Sequence, residues 1–157
     1  MITFERTRDW DTIKAIVTHP KIYPHISDDG SPASDEWEPI QNESVWYVLV
    51  KDDGLVLGLW ILIPENYVCW KIHTCLLPVA YGEKAKIAVA ALAPWVWQNT
   101  GCMRVITDVP AYNRVALRFA RAAGLEEYGV NPRSYMKNKN LYDQILLGIS
   151  KPEALCQ

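Results

Sequence analysis

The sequence has few features of a metal-binding, disulfide-linked or membrane-spanning protein. Its four cysteines, Cys69, Cys75, Cys102 and Cys156, include no Cys-x-x-Cys pair, and its three histidines are not spaced as zinc ligands beside them, so no metal site is expected. Cys69 and Cys75 fall on one predicted strand, about 20 Å apart at the usual strand rise, and cannot form a disulfide there. No apolar run reaches the roughly 18 residues of a membrane span.

An excess of positive charge is also missing. Lys and Arg number 16 against 18 Asp and Glu, and the formal net charge is −2. Nucleic-acid phosphates usually bind to a basic patch, so no nucleic-acid partner is expected. The first residues, Met1–Asp11, carry charge from Glu5 onward, which is atypical of a signal or transit peptide. We therefore expect a cytoplasmic protein with free thiols.

Half of the 157 residues are hydrophobic and 22% are charged, as in globular proteins. The length predicts a single domain over residues 1–157. Helical spacing of apolar residues and capping signals predict helices over Asp9–Thr18, Glu83–Asn99 and Tyr112–Ala123. The predicted strands are Ile2–Glu5, Val45–Val50, Leu55–Ile63, Tyr67–Leu76, Met103–Val109, Leu125–Val130 and Leu141–Ser150. This order predicts an α/β (α+β) fold with a mixed, mostly antiparallel sheet of six or seven strands and helices on both faces.

A proline-rich segment, residues 19–44, separates the first helix from the second strand. It predicts a loop with one helical turn near Pro32–Trp37. It contains six acidic residues and a single lysine, Lys21. They form either an acidic lip that attracts an amine or a basic partner, or an ordinary solvated loop. The acidic residues are Asp28, Asp29, Asp35, Glu36, Glu38 and Glu43.

A predicted strand end, a turn and a helix start follow one another between Leu76 and Ala85. The strand ends at Leu76, Pro78 and Gly82 make the turn, and the helix begins at Glu83. A helix start has unpaired backbone N–H groups and the positive end of the helix dipole, and both favour a bound phosphate. The sequence therefore predicts a site for a nucleotide-like ligand or a coenzyme pyrophosphate.

With these elements the chain resembles the GNAT superfamily of acetyl-CoA-dependent N-acetyltransferases over nearly its whole length. Asn113-x-x-Ala116, followed by Gly124-Leu125, is similar to the Asn-x-x-Ala…Gly-Phe signature of that family. The resemblance implies acetyl-CoA as co-substrate, an amine acceptor, and Asn113 orienting either the coenzyme or its helix. The segment 19–30 is similar to GNAT-like proteins of tailed phages, which implies a phage-encoded protein in the host cytoplasm or the virion.

The family's coenzyme turn, Arg/Gln-x-x-Gly-x-Gly/Ala, implies where the coenzyme would bind. Here Tyr81 stands at the Arg/Gln position, and Lys84 and Lys86 stand at the two small positions. If a coenzyme binds here, the lysines either crowd the path of its pyrophosphate or add positive charge beside it. The alternative to a coenzyme site is an ordinary helix start with solvated lysines. The implied coenzyme-binding residues are Cys75, Leu76, Leu77, Tyr81, Gly82, Glu83, Lys84, Ala85, Lys86, Asn113 and Ala116.

The implied catalytic residues are His73, Tyr81 and Tyr112. Many family members place a general-acid Tyr seven residues after the signature Asn, but Ala120 stands there in this chain and cannot transfer a proton. His73, on the predicted central strand, is the expected base, unless it is a half-buried histidine bonded to a neighbour. Tyr81 and Tyr112 are phenols near the predicted site.

Two functions therefore remain open from the sequence. The first is an acetyl-CoA-dependent N-acetyltransferase. The second is an inactive GNAT-fold protein for binding or assembly, phage-encoded and virion-associated, which the altered turn and Ala120 favour. A homodimer or a phage structural protein is the expected macromolecular partner, and no metal cofactor is expected.

Overall fold

A computed structural model describes residues 1–153, and its elements follow the predicted order; Cys156 lies outside the described residues. The strands are β1 (Ile2–Thr7), β2 (Trp46–Asp52), β3 (Leu55–Pro64), β4 (Cys69–Leu76), β5 (Arg104–Pro110), β6 (Glu126–Lys137) and β7 (Asn140–Ser150). The helices are α1 (Trp10–Val17), α2 (Tyr23–Ile26), α3 (Glu83–Asn99) and α4 (Arg114–Ala122). A short 3-10 turn, Pro78–Ala80, joins β4 to α3.

The seven strands form one sheet in the order β1-β2-β3-β4-β5-β7-β6. All neighbours are antiparallel except β4 and β5, which run parallel. The predicted mixed, mostly antiparallel sheet is therefore confirmed. Strands β2 and β3 form an antiparallel hairpin. Asp53 and Gly54 at its turn both have positive φ angles, which suit a two-residue hairpin turn.

Helices cover both faces of the sheet, as predicted. On the first face, called the α1 face, buried residues of α1 and α2 pack against β2 and β3. This cluster includes Ile13, Ile16, Val17, Tyr23, Tyr47, Leu49 and Leu59. On the opposite face, called the α3 face, α3 packs against β2, β3 and β4. That cluster includes Ala88, Leu92, Val96, Val48, Trp60 and Ile72, and α4 adds Leu117 against Val109 and Leu147.

The parallel ladder between β4 and β5 is short. It contains only the pairs Cys69–Arg104, Trp70–Val105 and Lys71–Ile106. Beyond these pairs, β4 remains hydrogen-bonded to β3 but not to β5, and β5 remains hydrogen-bonded to β7 but not to β4. The opening between residues 72–76 and 107–110 is called the cleft below.

The long segment 19–44 is fixed to the distant β6–β7 hairpin. The Asp29 carboxylate accepts hydrogen bonds from the backbone N–H groups of Asn138 and Lys139 at 2.8 and 2.7 Å. The Lys137 ammonium donates to the Ser27 carbonyl at 2.6 Å, and the Tyr135 hydroxyl donates to the same carbonyl at 2.9 Å. These contacts, called the clamp, hold the segment beside the α1 face of the sheet.

Two sequence-based boundaries differ from the structure. The single turn predicted near Pro32–Trp37 is present, since the Glu36 N–H donates to the Ala33 carbonyl at 3.0 Å, but the helix of this segment is α2, with Pro24 in its first turn. Proline is well placed there, since its missing N–H would have no helical partner. Strand β6 continues past the predicted end at Val130. It is an edge strand, and an irregular register between Asn131 and Tyr135 accommodates Pro132.

Gly58 permits a close approach between β3 and the end of β4. A Cβ atom at this position would lie 2.3 Å from the Cys75 carbonyl oxygen and 2.8 Å from the Leu76 Cα. Both are backbone atoms that cannot move without displacing the strand. We therefore expect Gly58→Ala to lower the free energy of unfolding, measured in urea, by at least about 2 kcal/mol.

Gly129→Ala is the matched control in β6. Its added Cβ would lie 3.6 Å from Leu146 Cδ1, an ordinary contact, so a change within about 1 kcal/mol is expected. Equal effects of the two substitutions would contradict a tight β3–β4 approach at Gly58.

Candidate functional site

One edge of β4 faces the cleft with its backbone groups. The Thr107 hydroxyl donates to the Ile72 carbonyl at 3.1 Å, so the backbone of Ile72 points toward β5. Backbone direction alternates along a strand, and Thr74 and Leu76 therefore point the same way. Since the ladder with β5 ends at Lys71, the groups of Thr74 and Leu76 line the cleft without a strand partner.

The neighbouring backbone groups of Cys75 and Leu77 face β3 instead. The Leu77 N–H donates to the Leu57 carbonyl at 2.9 Å, and the Cys75 carbonyl lies against Gly58. The Cys75 side chain is fully buried on the α1 face, and burial raises the pKa of its thiol to about 12. Of the three implied coenzyme-binding residues at the end of β4, which are Cys75, Leu76 and Leu77, Leu76 is the one whose backbone faces the cleft.

The start of α3 carries unpaired amides beside open space. Gly82 is the N-cap, with a φ of 96°, a conformation that favours glycine. No atom lies within 4 Å of the position its Cβ would take. Within residues 1–153, no N–H group of Gly82, Glu83, Lys84 or Ala85 donates a hydrogen bond. These four amides and the dipole of a 17-residue helix favour an anion.

The two lysines of this turn point to different partners. Lys84 Nζ lies 2.9 Å from the Asp52 carboxylate, at the end of β2. Asp52 also binds the N-terminal ammonium at 2.9 Å, and the hydrogen bonds from Lys84 and the N-terminus lower the pKa of its carboxyl group. Lys86 lies 3.5 Å from Glu83, and both side chains are mostly exposed. The Lys84 ammonium is thus held by β2, and the Lys86 ammonium is in solvent.

Asn113 caps helix α4. Its side-chain oxygen accepts a hydrogen bond from the Ala116 N–H at 3.1 Å, which is a standard N-cap interaction. Gly124, directly after the predicted helix end at Ala123, has a φ of 87°. The Asn-x-x-Ala motif therefore orients the helix in this structure. Ala120 packs against the small core cluster that contains Leu117.

His73 lies on the α1 face of β4, two residues after Lys71. Its ring is half-buried by accessible area and closely surrounded by protein atoms. Burial and then the nearby Lys71 charge lower the pKa of His73 below its ordinary 6.5, while Asp108 and Glu65 oppose this shift. In the described residues, the ring forms no hydrogen bond, so the expected alternative of a histidine bonded to a neighbour is not what is observed.

Three charged residues beside His73 were not among the predicted site residues. Lys71 Nζ lies 2.7 Å from the Asp108 carboxylate and 3.3 Å from the Glu65 carboxylate. Burial lowers the pKa of Lys71, but its two carboxylate partners outweigh this effect and raise it overall. The Lys71–Asp108 pair joins β4 to β5 where the cleft begins. No sequence motif marks it, because it depends on the register of two strands far apart in the chain.

Tyr112 lies just past the end of β5, in a cluster of tyrosines. Its ring centroid is 4.6 Å from that of Tyr142 and 6.4 Å from that of Tyr135, and 40% of Tyr112 is exposed. Burial raises the pKa of Tyr112, and burial, together with nearby negative charges, raises the pKa of Tyr135 to about 12. Tyr81 is at the α3 start, 56% exposed, and its hydroxyl has no partner within residues 1–153.

Other site types find little support in the described part of the chain. Residues 1–153 contain no group of three His, Cys, Asp or Glu side chains placed to hold a metal ion. None of the described helices combines the length and apolar character needed to cross a bilayer. A cavity of about 410 Å³ does occur, but at the opposite end of β4, where Trp46, Tyr67 and Trp70 line it.

Several solved structures share this architecture. A spermidine N-acetyltransferase from Vibrio cholerae, in complex with CoA and spermine, matches with a TM-score of 0.78 and 18% identity over 95% of each chain. A spermidine/spermine N-acetyltransferase from the same organism, in complex with manganese ions, matches with a TM-score of 0.74 and 17% identity. The match covers 99% of this chain and 95% of that one. A candidate phosphinothricin N-acetyltransferase matches with a TM-score of 0.73 and 18% identity. The match covers 98% of this chain and all of that one.

No protein-family model and no curated protein matches the sequence. At identities this low, the solved structures establish the fold alone. The chain has the fold of the GNAT acetyltransferases, as the resemblance implied.

Burial lowers the pKa of His73 most, and the nearby Lys71 charge lowers it further; the Lys71 contribution is measurable. We expect Lys71→Met to raise the pKa of His73, followed by NMR titration of its ring protons, because the lowering charge is removed while Asp108 and Glu65 remain. Lys51→Met is the matched control. Lys51 is also a strand lysine paired with a carboxylate, and its exposed fraction is 25% against 24% for Lys71. An unchanged His73 pKa in the Lys71 variant would show that the two side chains do not interact.

Proposed function

We propose that the protein is an acetyl-CoA-dependent N-acetyltransferase that modifies an amine. One observation carries the proposal: the unpaired β4 edge at Thr74 and Leu76 is followed directly by a helix start with four unpaired amides. A strand edge and a helix N-terminus in this order suit a ligand with an amide-containing arm and a pyrophosphate. The bound CoA in a structure of the same fold supports this choice of ligand.

The residues present fit acetyl-CoA, which supplies an activated acetyl thioester when bound. Backbone groups of Thr74 and Leu76 would bind the pantetheine arm as an added strand. Amides of Gly82, Glu83, Lys84 and Ala85 would bind the pyrophosphate. Gly82 leaves open space beside these amides, and the ion pair with Asp52 holds the Lys84 ammonium. Tyr81 and Lys86 flank the same turn. Asn113 and Ala116 would contribute indirectly by fixing the start of α4.

His73 and Tyr112 are the proposed proton-transfer groups. His73 would accept the proton that the amine loses as the N–C bond forms, because its lowered pKa keeps the ring neutral near pH 7. Tyr112 would donate a proton to the sulfur as the C–S bond breaks, since its raised pKa keeps the phenol protonated. Tyr81 is the alternative donor. Turnover should therefore decrease as the pH falls through the pKa of His73, below 6.5.

The remaining expectations stay part of the proposal. These are a cytoplasmic location in the host or a place in the virion, a phage origin, and a homodimer or a phage structural protein as partner. The comparisons give no support to the alternative of an inactive binding or assembly protein. Binding of acetyl-CoA without transfer to any amine would favour that alternative.

Binding of acetyl-CoA is the first test, by isothermal titration calorimetry. We expect saturable binding to the wild-type protein and none to Gly82→Trp, because an indole at the α3 start would cover the free amides. Gly101→Trp is the control at the other end of α3, about 25 Å away at the helical rise, and should bind normally. Retained affinity in Gly82→Trp would place the ligand elsewhere, and no binding to the wild-type protein would refute the proposal.

A further inference from the structure

We infer that the acceptor carries a single positive charge, its reacting amine, on an apolar or aromatic body, and that it binds on the α1 face of the cleft. This inference rests on the proposed function and concerns which amine is used. It excludes polyamines, the class named for two proteins of the same fold. The placement and pairing of the charges on this face carry it.

The strand register fixes where an amine would react. Lys71 is paired with Ile106 in the parallel ladder. Two residues further along each strand, His73 and Asp108 stand level with each other on opposite sides of the cleft. Tyr112 lies in the turn that follows the end of β5 at Pro110 and precedes α4. An amine that reaches His73 therefore has the Lys71–Asp108 pair on one side and the tyrosine cluster on the other.

The carboxylates nearest to His73 are already neutralised. Asp108 and Glu65 both bind Lys71, at 2.7 and 3.3 Å. Lys71 is mostly buried and remains protonated, since its pKa is raised. A second ammonium group on the acceptor would meet this fixed positive charge. The two carboxylates nearest to that group, Asp108 and Glu65, are already paired with Lys71 and would not replace its lost hydration.

The clamp adds little net negative charge to this face of the sheet. The Asp29 carboxylate is bound by two amides of the hairpin, and Lys137 and Lys139 lie close to it. The Asp28 carboxylate accepts bonds from Gly30 and Ser31 in its own turn. The charged groups that act on His73 are two acids, Asp108 and Glu65, and one base, Lys71. Their net charge of one negative unit suits one ammonium group.

Four of the six acidic residues of segment 19–44 are bound within the chain. Glu38 is bound by Lys14 on α1, and Glu43 by Arg8 after β1, while Asp28 and Asp29 accept the hydrogen bonds given above. The Asp35 and Glu36 carboxylates form no ion pair within residues 1–153, and the Asp35 carbonyl accepts a hydrogen bond from Lys14 on α1.

The tyrosine cluster provides the apolar side of the groove. Tyr112 and Tyr142 meet edge to face, with an interplanar angle of 66°, and Tyr112 keeps 40% of its surface exposed. Exposed aromatic surface next to a reacting centre favours a flat or aliphatic body.

A pair of acceptors that differ only in charge tests the inference. Hexylamine and 1,6-diaminohexane have the same carbon chain, but the diamine carries a second ammonium group. With saturating acetyl-CoA, we expect kcat/KM for hexylamine to exceed that for the diamine by about tenfold, the effect of roughly 1.4 kcal/mol of repulsion. Spermidine should be poorer still, and 2-phenylethylamine should be at least as good as hexylamine.

A charge variant tests whether the preference for hexylamine depends on the charge of Lys71 or only on the carbon chain of the acceptor. Lys71→Met removes the positive charge and leaves two carboxylates unpaired, so it should shift the hexylamine-to-diamine ratio toward the diamine by at least threefold. Lys51→Met, with its matched exposure, should leave the ratio unchanged.

The outcomes distinguish failure of the proposed function from failure of the inference about the acceptor. If acetyl-CoA does not bind by calorimetry, the proposed function fails and the inference fails with it. If acetyl-CoA binds, a diamine equal to or better than hexylamine overturns the inference alone. Absence of transfer to every monoamine in the presence of bound acetyl-CoA also overturns it.

Discussion

Strands β4 and β5 hydrogen-bond to each other along only three residue pairs, and most of the candidate site follows from this short ladder. Both strands continue past the last pair, each held by its outer neighbour. The sheet therefore opens without losing either strand, and backbone groups at Thr74 and Leu76 lie in the opening. Gly58 lets the β3 backbone approach the end of β4 closely. An unpaired strand edge of this kind is a good template for an extended ligand.

Electrostatics divide the cleft into two ends with different chemistry. At the start of α3, unpaired amides and the helix dipole favour an anion. On the α1 face, Lys71 joins the two strands through Asp108 and adds to the effect of burial in lowering the pKa of His73. In the proposed reaction, the same lysine would contribute both to the base strength of His73 and to the choice of acceptor. The clamp between segment 19–44 and the β6–β7 hairpin bounds this face with hydrogen bonds across more than 100 residues of sequence.

Much of the fold could be predicted from local sequence, and the reasons are physical. Helix α3 was predicted with the boundaries that the structure shows, because apolar spacing and Gly82 define it locally. The Asn113 cap and the Gly124 stop are local signals as well. The Lys71–Asp108 pair and the clamp were missed because both need a register between distant strands or loops. Helix α2 was missed because a four-residue helix has too little periodicity to be recognised.

The most direct test of the central claim is an amide NMR titration of the wild-type protein with acetyl-CoA. If the β4 edge and the α3 start hold the coenzyme, the amides of Thr74, Leu76, Gly82, Glu83, Lys84 and Ala85 should show the largest shift changes at saturation. Shift changes confined to the aromatic cavity at the other end of β4, around Trp46, Tyr67 and Gly101, would contradict the account.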